Sequence, residues 1–307
     1  MSKNASHRFA TTVFSLIFLG FSSVTMAQEI LYGSSTDGPA DIYTIDTATG
    51  VVTLLGATGL SERVSGLAIN PQTCNALGLF GGSAAGIAGA QLVEIDLANG
   101  AATQIGTLIG SGFDGSINVG GAGSLRFSAG LNLYSSGWSG GFSGGSFLRI
   151  DPLTGAVLQA NATTGGALYT GLAFDSTGTL WASRGGNGPG QLHTVDPTNG
   201  AILTTLALSD GSARITDLAF SDDGTLYASM RDGNTSLSNL VTINTTSGGI
   251  TTIGPMGVKI GGLVFTPLPC RTPNIPVPGL GQSGMSILII LLVLGGFLAF
   301  RVGRARV

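Results

Sequence analysis

An all-β fold, a five-bladed β-propeller of four-stranded blades, is what this 307-residue sequence predicts, and three features carry the prediction. One phrase occurs five times: IYTIDTATG at 42–50, LVEIDLANG at 92–100, FLRIDPLTG at 147–155, LHTVDPTNG at 192–200 and LVTINTTSG at 240–248. Its anchors Asp46, Asp96, Asp151, Asp196 and Asn244 are 50, 55, 45 and 48 residues apart, a period at which units cannot bury their own apolar face and must stack. The third feature is phase. The repeats open with ILYGSS at 30–35, which matches the second strand of a unit, and close with GGLVFTP at 261–267, which matches the first. The last strand then completes the first blade and closes a ring; the alternative is an open stack, which leaves edge strands exposed.

Each unit reads as four strands in order. The inner strand is SGLAI (65–69), SLRF (124–127), TGLAF (170–174), TDLAF (216–220) or GGLVF (261–265). LGLF (77–80), LNLY (131–134), TLWA (179–182) or TLYA (225–228) follows the inner strand within the repeats. The repeated phrase supplies the third strand and a turn opened by Asp or Asn and closed by Gly50, Gly100, Gly155, Gly200 or Gly248 at positive φ, which is hairpin chemistry. Outer strands such as VVTLLG (51–56) and GITTIG (249–254) come last. The segments expected as the longest loops, between second and third strands, are STDGPAD (35–41), GGSAAGIAGA (81–90), SSGWSGGFSGGS (135–146), RGGNGPG (184–190) and RDGNTSLSN (231–239). They are expected on one face together with the blade-to-blade connections, including 106–123.

TGLAFDSTGTLWAS (170–183) with HTVDPTNG (193–200) resembles the NHL and YVTN type of bacterial propeller repeat, a GLAFDPDGTLY hairpin followed by a YRIDPATG strand and turn. The resemblance covers about 30–267, is clearest over 147–267 and implies a fold rather than an activity.

Both ends of the chain read as addresses. Lys3 and Arg8, an apolar stretch from Phe9 to Phe21 and the small-residue exit Thr25-Met26-Ala27 predict a secretory signal peptide over 1–27. The propeller ectodomain is expected over 28–270, a Pro/Gly linker over 271–284, and a transmembrane helix with a basic tail over 285–307. Met285 to Phe300 is a run of 16 uncharged residues that reaches about 24 Å as a helix. That is slightly short for a span, and Arg301, Arg304 and Arg306 beyond it place the tail in the cytoplasm. PVPGLGQSGM (276–285) before that run is similar to the IPTL-CTERM sorting signal. Val277, Pro278, Leu280, Gly284 and Met285 match, whereas Gly279, Gly281, Gln282 and Ser283 stand where Thr, Ser, Glu and Trp are usual. The resemblance implies recognition by an exosortase-like membrane enzyme and release to the cell surface; an uncleaved anchor is the alternative.

Between 28 and 270 stand seven basic residues and all sixteen acids, a net charge of −9 that disfavours a nucleic-acid role. The two cysteines, Cys74 and Cys270, lie seven residues beyond Leu67 and Leu263, at matching points of adjacent blades. In an exported protein that placement predicts a disulfide fastening the ring; two reduced thiols are the alternative. The chain-entropy model gives such a bond somewhat more than about 4 kcal/mol.

Chemistry-bearing residues are few. His193 shares its repeat position with Tyr43, Val93, Leu148 and Val241, so it reads as a packed strand residue, and support for a metal or Ser-His-Asp site falls with it. Ser139 and Ser143 sit in G-x-S-x-G strings of a chain with 51 glycines, without the strand-to-helix turn that a nucleophile elbow needs. Asp222-Asp223-Gly224 reads as a plain turn rather than a calcium loop. Departures from the repeat are more telling. Arg126 stands where Ala68, Ala173, Ala219 and Val264 stand, and Asp217 where Gly66, Ser124, Gly171 and Gly262 stand. Both are expected near the channel, either as a small polar site at its mouth or as a pair satisfying one another or lining a solvated pore. Trp138 and Phe142 are placed in a loop, where they would stack on a sugar or peptide or fold back on the blades. No cofactor, metal ligand set or catalytic residue is assigned. The functional expectation is an exported, envelope- or surface-sorted propeller that acts as a binding or structural module for a surface glycan or protein; the alternative is an exported, metal-dependent, lactonase-like propeller enzyme.

Overall fold

A computed structural model describes residues 29–81, 90–110, 117–139, 144–184 and 190–271. The signal-peptide segment and the sorting and membrane segments from 272 onward, with Val277, Pro278, Leu280, Gly284, Met285, Arg301, Arg304 and Arg306, lie outside the described residues, as does Phe142. Gln28–Arg271 is one compact unit.

The unit is a ring of five four-stranded antiparallel sheets. The first blade holds β1 (Leu31–Ser35), β2 (Asp41–Ile45) and β3 (Val52–Ala57). The second holds β4 (Val64–Ile69), β5 (Ala76–Gly81), β6 (Ala90–Ile95) and β7 (Ala102–Thr107). The third holds β8 (Ile117–Phe127), β9 (Leu133–Ser139), β10 (Gly144–Ile150) and β11 (Val157–Ala162). The fourth holds β12 (Tyr169–Phe174), β13 (Leu180–Arg184), β14 (Gln191–Val195) and β15 (Ile202–Ala207). The fifth holds β16 (Arg214–Phe220), β17 (Leu226–Arg231), β18 (Ser238–Ile243) and β19 (Ile250–Pro255). β20 (Ile260–Phe265) pairs with β1, Leu31 opposite Phe265 and Gly33 opposite Leu263, so the last strand completes the first blade. The inner strands β20, β4, β8, β12 and β16 stand side by side around the axis, and β16 closes on β20.

Apolar alternation on both sheet faces makes the interfaces between blades the core. Five clusters fill the five interfaces: Leu79, Leu92, Leu125 and Leu148 join blades two and three, while Ile42, Leu67, Val93 and Val264 join one and two. Leu192, Leu218 and Val241 join four and five, and Leu31, Leu240 and Leu263 join five and one. Phe147, Tyr169 and Leu172 join three and four, with Tyr134 stacked on Phe147 at 5.5 Å. Hydroxyls bridge the same seams: Ser34 Oγ donates to the Val64 carbonyl (2.8 Å), Ser136 Oγ to Tyr169 (3.0 Å) and Ser229 Oγ to Ile260 (3.0 Å).

The repeated turns have the expected chemistry. Asp46 Oδ1 accepts the Ala48 and Thr49 N–H groups at 2.8 and 3.0 Å, and Gly50 closes the turn at φ 76°. The other four turns repeat the pattern, with Asn244 Oδ1 in the last of them accepting Thr246 N–H at 2.9 Å. Two expectations need correction. β8 begins at Ile117, inside the segment expected as a connection, and β9 runs to Ser139, so Trp138 lies in a strand rather than a loop. The cause is a long hairpin: Asn118 pairs with Trp138, the register then shifts, and Gly123 pairs with Gly137. Ser and Gly read as loop by propensity, but a ladder with a partner on each side overrides propensity.

The cysteines are joined as expected, with Cα atoms 5.2 Å apart across a separation of 196 residues. Cys74 has φ 64° and closes the turn between the first two strands of its blade, where Gly178 and Gly224 close the matching turns at φ 85° and 84°. A side chain at a left-handed position is disfavoured, and here the position carries the bond to Cys270. Replacing both cysteines with alanine should lower unfolding stability by about 2–5 kcal/mol in urea titration. Cys74→Gly with Cys270→Ala should lose about 1 kcal/mol less, because glycine relieves the turn. Equal losses for the two pairs would exclude strain at residue 74.

Candidate functional site at the ring axis

Each inner strand pairs on one side only, so its other edge turns unpaired N–H and C=O groups toward the axis. Buried backbone groups of that kind need partners. Three side chains supply them. Asp217 Oδ1 accepts Ser124 Oγ–H at 2.7 Å and Leu218 N–H at 2.9 Å; Oδ2 accepts Leu263 N–H at 2.7 Å and Arg126 Nη2 at 3.2 Å. Ser124 Oγ in turn accepts Leu172 N–H at 3.0 Å. Arg126 Nη1 donates to the carbonyls of Leu67 and Leu125, and Nη2 to that of Leu218. Leu67, Leu125, Leu172, Leu218 and Leu263 hold one equivalent position in the five inner strands. The Arg126–Asp217–Ser124 cluster therefore ties all five blades together.

The local sequence makes room for this hub. A Cβ on Gly66 would lie 2.8 Å from Leu125 N, and one on Gly262 would lie 2.9 Å from Leu67 N, so the strands approach backbone to backbone there. Asp217 and Ser124 take the same repeat position in their own blades and reach across the axis. Asp217 is 0% exposed and Arg126 7% exposed. Of the two expectations for these residues, the geometry is that of a mutually satisfied pair. Burial pushes the Asp217 carboxyl up to about 6 against the pull of Arg126, the two N–H donors and Ser124. Burial likewise lowers the Arg126 guanidinium, opposed by Asp217.

On one side of the hub the axis opens into a pocket of about 240 Å³. Arg126 is at its floor with Ala68, Ala173, Ala219 and Val264, the residues of its own repeat position. One step outward, Ile69, Phe127, Phe174, Phe220 and Phe265 form a collar from the ends of the inner strands. Those ends adjoin the first-to-second-strand turns, so the pocket opens on the face opposite the loops between second and third strands. At its rim Arg271 bridges two carboxylates, Glu29 Oε1 at 3.2 Å and Asp222 Oδ2 at 2.7 Å, and the Asp222 N–H donates to Glu29 at 3.1 Å. Burial raises the Glu29 pKa, countered chiefly by that N–H.

The other sequence candidates fall away from this pocket. His193 is 2% exposed, its Nδ1 3.0 Å from Thr205 Oγ1, and burial lowers its pKa. Asp223 Oδ1 accepts Ser221 Oγ–H and Thr225 N–H inside its own turn. Trp138 belongs to the far end of β9 and is not brought to the axis; Ser143 lies outside the described residues. Among the described residues no three His, Cys, Asp or Glu side chains are grouped to hold a metal ion. Sequence reasoning missed Glu29, Arg271 and the collar. The collar was visible as the last residue of LAI, LRF, LAF, LAF and LVF, but a terminal Phe in an apolar strand reads as core.

Residues 133–266 match a family described as Repeat of unknown function (DUF6923). No curated protein matches the chain. The chain is similar in structure to an exo-β-1,3-galactanase from Phanerochaete chrysosporium: 12% identity, TM-score 0.54, 69% of this chain and 55% of that one covered. For the exo-β-1,3-galactanase from Clostridium thermocellum the values are 13%, 0.54, 74% and 59%. For hydrazine synthase of Kuenenia stuttgartiensis they are 14%, 0.41, 69% and 59%. The chain thus spans 55–59% of these three proteins, and the likeness to the two galactanases is one of fold.

The hub has a signature in pH. A folded-state pKa above the ordinary 3.8 of aspartate means that the folded protein holds the extra proton, so stability rises as pH falls through about 6. Below about 4 the trend reverses, because Asp46, Asp196, Asp210 and Asp223 have carboxyls held down by turn N–H and hydroxyl donors. The lowered His193 imidazole acts in the opposite direction over the same range, so in a His193→Ala background urea midpoints should rise from about pH 7 to about pH 5. Asp217→Asn should remove most of that rise, Glu29 supplying the remainder; an unchanged slope in Asp217→Asn would exclude the assignment.

Proposed function

We propose that this chain is an exported β-propeller, sorted to the envelope or cell surface, that binds a surface polymer or partner protein without catalysis. The observation that carries the reading is the hub. Asp217, the inner-strand acid, has its carboxylate taken up by four hydrogen bonds within the fold, so the axis is organised for holding blades together. The Cys74–Cys270 disulfide supports an oxidising compartment. Signal peptide 1–27, propeller 28–270, linker 271–284 and membrane tail 285–307 remain the proposed organisation, with the membrane and an exosortase-like enzyme as partners of the tail. The third-blade segment that carries Trp138 and Phe142 is the proposed contact region, since residues presented on a rigid scaffold commonly carry recognition.

The test is capture of envelope polymers by the purified protein. Trp138→Ala with Phe142→Ala should weaken capture about tenfold, whereas His193→Ala should leave it unchanged once any loss of stability is allowed for. Lactone hydrolysis that disappears on metal chelation would overturn the reading in favour of a metal-dependent, lactonase-like enzyme.

A further inference from the structure

We propose that the axial pocket is a subsite for one neutral pyranose ring, entered from the face opposite the long loops; the proposal rests on the binding reading above. Three properties select the ligand. The volume of about 240 Å³ lies below that of ordinary ligand pockets and admits a single ring rather than a chain. The wall is an apolar collar of Phe127, Phe174, Phe220 and Phe265, which suits the C–H faces of a sugar. The polar groups stand at the two ends, a donor below and acceptors above.

At the floor, four of the five guanidinium N–H groups of Arg126 are engaged by Leu67, Leu125, Leu218 and Asp217. The fifth, on Nε, has no partner among the described residues, and the atom is not one of the sealed, unpartnered ones. A ligand there must offer an acceptor. At the rim, Glu29 and Asp222 share the single cation Arg271 and offer acceptor capacity to ligand hydroxyls. Charge then excludes the ionic alternatives. A carboxylate or phosphate would meet two rim carboxylates and a floor guanidinium already paired with Asp217. An ammonium offers donors only, and the free polar group at the floor is itself a donor, the Nε–H of Arg126. A neutral ring with an apolar face, an acceptor oxygen and several hydroxyls satisfies wall, floor and rim together.

Arg126 belongs to the hub, so the test leaves it in place. Ala129 is exposed on the turn after β8 and lines the pocket mouth, where tryptophan would obstruct entry without entering the core. Saturation-transfer NMR on the full chain, with a panel of neutral methyl hexopyranosides and with methyl-linked uronates and choline as charged counterparts, should give signal from a neutral glycoside alone. Ala129→Trp should weaken that binding at least tenfold with the thermal midpoint unchanged, and Glu29→Gln should weaken it by a smaller factor. Absence of binding by every neutral glycoside, binding of a uronate or choline in their place, or full binding by Ala129→Trp would each overturn the proposal. Envelope capture that persists in Ala129→Trp while no glycoside binds would sink the pocket subsite and leave the binding reading standing.

Discussion

Five inner strands stand around one axis with half of their backbone polar groups facing it, and everything else in the ring depends on how those groups are satisfied. An open channel would leave water to do so. Here one arginine, one aspartate and one serine reach the equivalent leucine backbone of all five blades. Burying a charged pair has a large desolvation cost, returned only where the remaining donors and acceptors are also met. Asp217 meets that condition with four hydrogen bonds, and Arg126 with four of its five N–H groups. The arrangement also breaks the symmetry of the repeats. Only blade three carries the arginine and only blade five the aspartate, so the blades are not interchangeable although their turns and apolar patterns are alike.

This division explains what was legible in the sequence. Blade number, strand order and ring closure follow from local chemistry repeated five times, such as the Asp46 to Gly50 turn, and local chemistry survives without knowledge of distant partners. Arg126 and Asp217 stood out as departures from the repeat, but their pairing spans 91 residues of sequence and only the ring brings them together. The cysteines were legible as a pair because they occupy matching points of adjacent blades. The strand segments 117–123 and 135–139 were not legible, because glycine and serine carry little strand signal of their own and the cross-strand partner decides their conformation. The rim of the pocket was not legible, because Glu29 and Arg271 flank the repeats and belong to no repeated position.

The two faces of the ring carry different chemistry. One presents the loops between second and third strands. The other gathers the short turns, the disulfide and the mouth of the axial pocket, with Glu29 and Arg271, the first and last described residues, at its rim. A hub between the faces holds the blades in register while leaving both surfaces free to vary. That separation is consistent with a scaffold whose recognition lies at its two faces, the pocket mouth included, and whose hub is structural.

The central claim is that Arg126 and Asp217 act as one unit, and a double-mutant cycle in urea unfolding tests it most directly. Arg126→Met and Asp217→Leu should each cost about 3–5 kcal/mol, since each leaves an uncompensated buried charge, and the double variant, which leaves none, should lose clearly less than the sum of the two. Losses that simply add would show two independent residues and would contradict the hub.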